Sequence, residues 1–144
     1  MSLLDNLDLI HINLYYKYIK VGSGKKLVIM DDKKAEEMLK DEEKKVGIEV
    51  LETQWSMLNW KEQNEVMNAS SRATDPATGE KQFDFLIYRD AVVKRCLRSW
   101  NLTAMEQPIP VSPEAIDQLP GPVVVDIYQK FERLVEFTEE ELGN

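Results

Sequence analysis

The sequence is short of the residues that carry most protein chemistry. It has one cysteine and one histidine in 144 residues. A single cysteine excludes an internal disulfide and a multi-cysteine metal site, and suits a reducing compartment. For the single histidine, His11, the sequence suggests no Ser or Cys partner, so no catalytic triad is argued. No apolar run approaches the roughly 20 residues of a membrane span. Met1-Ser2-Leu3-Leu4-Asp5 has no basic n-region, so no signal peptide is expected, and the sequons Asn68-Ala69-Ser70 and Asn101-Leu102-Thr103 carry no meaning without secretion. Positive charge is also in deficit: 18 Lys and Arg stand against 26 Asp and Glu, a net charge of −8. Such a surface repels nucleic acid and anionic lipid, so neither is an expected partner.

The acidity is uneven. Residues 1–54 hold nine basic and eleven acidic side chains, residues 55–101 seven and six, and residues 102–144 two and nine. The last third is an acidic face, suited to a basic partner or to simple solvation. Hydrophobic content of 43% and charged content of 31% fit a globular chain with a modest core.

Periodicity divides the chain. In residues 9–21, Ile10, Ile12, Leu14, Tyr16 and Tyr18 alternate, predicting a strand. Gly22-Ser23-Gly24 reads as a hairpin turn and Lys25–Met30 as the returning strand. Residues 31–45 are charge-dense, with a narrow stripe of Ala35, Met38 and Leu39. A short helix capped by Asp31 or Asp32 competes there with disorder. Residues 46–54 return to alternation and predict a third strand. Asn59 and Glu62 form a capping box for a helix over 60–71, followed by an exposed loop over 74–80. Residues 84–100 predict a long helix with the stripe Phe85, Tyr88, Val92, Cys96, Trp100. An extended linker over 101–111 leads to Ser112-Pro113, which starts a short helix. Pro120-Gly121-Pro122 ends it and starts the last, over 122–137, with Val123, Ile127, Tyr128, Phe131 and Leu134 on one face. Thr138–Glu141 offers a last turn.

Chemical signatures are weak. Gly22-Ser23-Gly24-Lys25-Lys26 lacks the upstream glycine, the Ser or Thr after lysine and the following helix that a phosphate loop requires. Cys96 sits on an apolar stripe and reads as a small hydrophobe. Asp31/Asp32, Glu42/Glu43 and Glu139–Glu141 are adjacent runs, not separated carboxylates facing a cleft, and no calcium-loop spacing occurs. No catalytic residue, cofactor or metal site is expected. The candidate partner-binding residues are aromatic: Trp55, Trp60, Trp100, Tyr128 and Phe131. Core packing is the competing role, most directly for Trp60 and Trp100.

The segment from Trp55 to Leu134 resembles small tail assembly chaperones and related tail-gene products of long-tailed bacteriophages. The residues that carry the likeness are Trp55-x-x-Leu58-x-Trp60-x-Glu62-Gln63-Asn64, Asp84-x-x-x-Tyr88, Val93-Lys94-x-Cys96-Leu97-x-x-Trp100 and Pro110-Val111-Ser112-Pro113-Glu114-x-Ile116-x-x-Leu119-Pro120 before an apolar helix. The resemblance covers about half of the chain and does not reach the strands of 9–54. It implies a non-enzymatic assembly chaperone or adaptor of the host cytoplasm that binds the tape measure protein, the tail tube protein or both. It also implies a family often made in two lengths by frameshifting. The alternative is a structural tail, neck or baseplate component retained in the virion. Self-association is left open.

The expected fold is α+β: a small N-terminal antiparallel sheet packed on a C-terminal unit of three to four helices. The expected division is a β-rich region 1–54 with the charged helix or loop 31–45, then a helical region 55–144.

Overall fold

The computed structural model describes residues 9–71 and 73–136. The elements in order are β1 (Ile10–Val21), β2 (Gly24–Met30), α1 (Asp32–Leu39), β3 (Glu49–Trp55), α2 (Trp60–Ser70), β4 (Ala73–Thr74), β5 (Lys81–Gln82), α3 (Phe85–Cys96), β6 (Leu97–Trp100), β7 (Thr103–Ala104), β8 (Gln107–Pro108), α4 (Pro113–Asp117) and α5 (Gly121–Val135). The fold is α+β, with one four-stranded antiparallel sheet in the order β2-β1-β3-β6. The expected last turn at Thr138–Glu141, and Phe137, lie outside the described residues.

The β1–β2 hairpin closes on Gly22-Ser23, with Gly22 at φ +60°. Glycine takes that left-handed position without the Cβ clash that any other residue meets. One face of the sheet carries Ile12, Leu14, Leu51, Thr53 and Trp55, all buried, and α5 lies across β1 on it. Val123, Ile127, Tyr128 and Phe131 from α5 complete this core with Val92, Val93 and Cys96 of α3. The other face is half-covered by α1, which sets Ala35 against Tyr15 and Met30.

Trp55 joins the two layers. Its ring stacks on Phe131 at 4.7 Å and 20°. Its indole Nε1–H donates to Thr53 Oγ1 at 2.7 Å, and that hydroxyl donates to the Ile12 carbonyl at 2.6 Å. Each buried polar atom of the relay therefore has a partner, which removes the penalty of burying it.

Three helix starts follow the sequence signals. Asp31 Oδ2 accepts from Lys34 N, so the charged 31–45 segment starts as a helix. Asn59 and Glu62 form the reciprocal capping box of α2. Ser112 caps α4 with Pro113 in its first turn.

Three expectations are corrected. The helix predicted over 84–100 ends at Cys96, and Leu97–Trp100 is a strand paired with β3. The reason is β3's far edge, whose backbone groups need partners that a helix cannot supply. Asn101 extends the pairing with its side-chain amide, accepting from Glu52 N and donating to the Val50 carbonyl, both at 3.0 Å. Arg98, expected in the helix's last turns, sits in this strand and donates from Nε to Ser56 Oγ. The linker expected to be simply extended contains the β7–β8 hairpin. Trp100 Nε1–H donates to the Ile109 carbonyl at 2.6 Å and closes its base. The third strand is also shorter than expected, beginning at Glu49.

Lys130 pins α5 to both other layers. Its ammonium donates to the Asn13 carbonyl at 3.0 Å and to Asp32 Oδ1 at 2.8 Å, and sits 3.0 Å from Asp126 Oδ2.

Trp55→Ala removes the stacked ring and leaves the Thr53 hydroxyl without its indole donor. The expected loss is about 3–5 kcal/mol of unfolding free energy, read by urea denaturation. Trp60→Ala, at a residue 76% exposed, is expected within about 0.5 kcal/mol of wild type.

Candidate functional site

Helix α3 is where sequence and packing part company. It begins Phe85-Leu86-Ile87-Tyr88, four apolar residues in one turn, and one turn cannot bury all its faces against a single neighbour. Its later residues Val92, Val93 and Cys96 are buried, while Phe85, Leu86 and Ile87 stay exposed. Phe83, just before the helix, is exposed too. Asp84 fixes the start of α3 by accepting from Leu86 N and Ile87 N, and its own N–H donates to the Ser70 carbonyl at the end of α2.

Between α2, α3 and α5 runs a groove of about 180 Å³. Val92, Cys96 and Phe131 form its floor, Leu58, Tyr88 and Val135 its walls, and Met57 and Met67 its lips. The lips are 46% and 41% exposed. Gln63 and Glu132 are its polar lining. An aromatic cluster adjoins it: Tyr88 lies 5.4 Å from Phe83 and 6.5 Å from Phe85, and Phe85 lies 6.2 Å from Tyr128. Arg89 covers the Phe85 ring at 5.8 Å, a cation–π contact.

Burial dominates the electrostatics of the groove's titratable groups. Burial pushes the Tyr88 hydroxyl's pKa up, and the Glu132 carboxylate adds to it. Tyr128 moves the same way for the same two reasons, burial first and Glu132 second. Cys96 is raised from 9.0 to about 12, chiefly by burial and then by Glu62. A thiol held neutral this far above physiological pH is a packing group rather than a nucleophile.

A larger hollow of about 360 Å³ lies along β1, lined by His11, Asn13, Asp32, Glu36, Lys130 and Arg133 among others. Lys130 crosses between its walls to Asp32, so these two charges are spent on each other. Among the described residues, no group of three His, Cys, Asp or Glu side chains could hold a metal ion, and no helix is long and apolar enough to cross a membrane.

The five sequence-selected aromatics fall into different roles. Phe131 lies in the groove floor. Tyr128, one turn earlier, is buried beside Phe85. Trp60 is exposed and shares the α2 stripe of Gln63 and Met67 by helical spacing. Trp55 is fully buried and Trp100 half-buried with its indole engaged. Neither presents a free ring, and the anchor role for Trp55 gives way to core packing. The structure brings Trp55 and Phe131 together and leaves Trp60 and Trp100 outside that contact. Sequence reading passed over Met57, Met67, Phe83 and Glu132. The available signal was an excess: the run Phe83–Tyr88 has more apolar side chains than one buried stripe can use.

Because the Cys96 pKa is raised in the folded state, its stabilising contribution is full below pH 9.0 and is lost as pH rises toward about 12. At pH 9.0, native Cys96 is expected to react with iodoacetamide only as fast as the protein unfolds. Modification at the rate of a free thiol would show a floor open to solvent.

Comparison with protein-family models, with curated proteins and with solved structures finds no match for this chain.

Proposed function

We propose that this protein is a non-enzymatic assembly chaperone or adaptor of a long-tailed bacteriophage. In this reading it holds a helical segment of the tape measure protein, and by extension the tail tube protein, in the groove between α2, α3 and α5. The observation that carries the reading is the groove's chemistry. Its exposed lips are methionine, Phe131 lies in its floor and Tyr88 in its wall, and Glu132 places one carboxylate in its lining. Methionine repacks around differently shaped apolar side chains at little cost. That suits a surface which must grip one segment of a long repetitive helix and then release it.

The recognition mode is a helix laid in a groove, read through apolar anchors at i, i+3, i+4 and i+7. Glu132 and its neighbour Glu136 favour lysine or arginine beside those anchors. The residue pattern from Trp55 to Leu134 supports the phage assignment, and the groove supports the mode of binding. The reading places the protein in the host cytoplasm during tail assembly.

Co-expression with the tape measure protein, followed by affinity purification, tests this. Wild type is expected to co-purify with it and to be absent from finished virions. Met67→Asp puts a charge on the apolar lip and is expected to weaken capture at least tenfold while leaving the far-UV spectrum unchanged. Capture undiminished by Met67→Asp and by Met57→Asp would remove the groove from the mechanism. Stoichiometric copies in purified virions would replace the chaperone reading with that of a structural tail component.

A further inference from the structure

The sheet has an unpaired flank at β2. This strand ends the order β2-β1-β3-β6, and among the described residues no strand pairs with its outer edge. The hairpin's two-residue turn makes Val21 and Gly24 its closing pair. Hydrogen-bonded pairs alternate from there, so Gly24, Lys26, Val28 and Met30 turn their backbone groups toward β1. Lys25, Leu27 and Ile29 turn theirs outward. A long open edge of this kind is a template for another strand.

Charge selects the partner. Ile10–Met30 contains four lysines and no acidic residue, in a protein whose net charge is −8. Lys25 lies directly opposite Lys20 in the ladder, and like charges so placed destabilise a strand pair. An acidic group arriving at Lys25 from the open side relieves that repulsion. The acids nearest along the chain are Asp31 and Asp32, just past the end of the same strand. Asp31 is still extended, at φ −61° and ψ 135°, so the strand's direction continues through it.

We propose that two copies of this protein pair β2 against β2, antiparallel, about a two-fold axis at Val28. That register sets Lys25 opposite Asp31 of the second copy, Leu27 opposite its Ile29, and Lys26 opposite its Met30. Leu27 and Ile29 are the half-buried edge of the main core, so the apolar face runs on from one copy into the next. Moving the axis to Leu27 places Lys25 against an isoleucine, and moving it to Lys26 places two lysines face to face. The lysines therefore guard the edge against other strands and favour this one register. β2 contributes no residue to the helical groove, so the dimer stands or falls separately from the chaperone reading.

Light scattering on the full chain is expected to give twice 16.7 kDa. Lys25→Glu and Asp31→Lys are each expected to be monomeric alone, and to form a mixed dimer when combined, because both cross-copy pairs become complementary. Asp31→Lys also removes the α1 cap, so a second measurement avoids charge altogether. Val28→Cys is expected to form an interchain disulfide under mild oxidation, since residues facing each other at a non-hydrogen-bonded position lie about 4.5 Å apart, within disulfide reach. Lys26→Cys is not expected to cross-link. A monomeric wild type, a mixture that stays monomeric while both variants remain folded, or cross-linking at Lys26→Cys instead of Val28→Cys would each overturn the proposal.

Discussion

The contact on which the rest depends is the stack of Trp55 on Phe131. Trp55 is the last residue of β3 and Phe131 sits in the second half of α5, so one ring pair fixes how the sheet and its covering helix meet. Indole stacking alone would leave a buried N–H, and the Thr53 hydroxyl answers it by accepting from the indole and donating on to Ile12. The relay has a directional consequence. Thr53 and Trp55 share a face of β3, and Ile12, opposite Thr53, belongs to the adjacent strand, so the hydrogen bonds lock register as well as depth. Lys130 makes the same connection from the polar side, tying α5 to Asn13 of β1 and Asp32 of α1.

With α5 held there, α2 and α3 share the flank beside it. α3 can bury only its later turns against α5 and the sheet, and its first turn has more apolar side chains than it can cover. The groove arises from this surplus. Its floor is core, its lips are the unused methionines at Met57 and Met67, and Glu132 charges it from α5. The groove is thus continuous with the core, so an apolar helix laid in it would extend the same packing rather than meet a separate patch.

Much of the local structure was legible. The alternation in β1, the glycine turn, the Asn59–Glu62 capping box and the Ser112-Pro113 start all depend on neighbours within a few residues, and each formed where expected. The α+β class followed from the switch of period near Trp55. The limits of α3 were not legible. Helical spacing runs from Phe85 through Trp100 without a break, and nothing local stops it at Cys96. The break comes from β3, more than 40 residues earlier, whose edge takes Leu97–Trp100 as a partner. The exposure of Met67 and Phe85 was hidden for a related reason, since a stripe in sequence shows which residues share a face but not how much of that face a neighbour covers.

The sequence by itself determined the period of most segments, the caps, the scarcity of cysteine and histidine, and the charge imbalance. These are properties of single residues and near neighbours. Only the tertiary structure decided which tryptophan is core, where α3 gives way to β6, which apolar residues remain uncovered, and which strands end the sheet. Those outcomes depend on contacts between residues distant in the chain, where burial and unsatisfied backbone groups outweigh local preference.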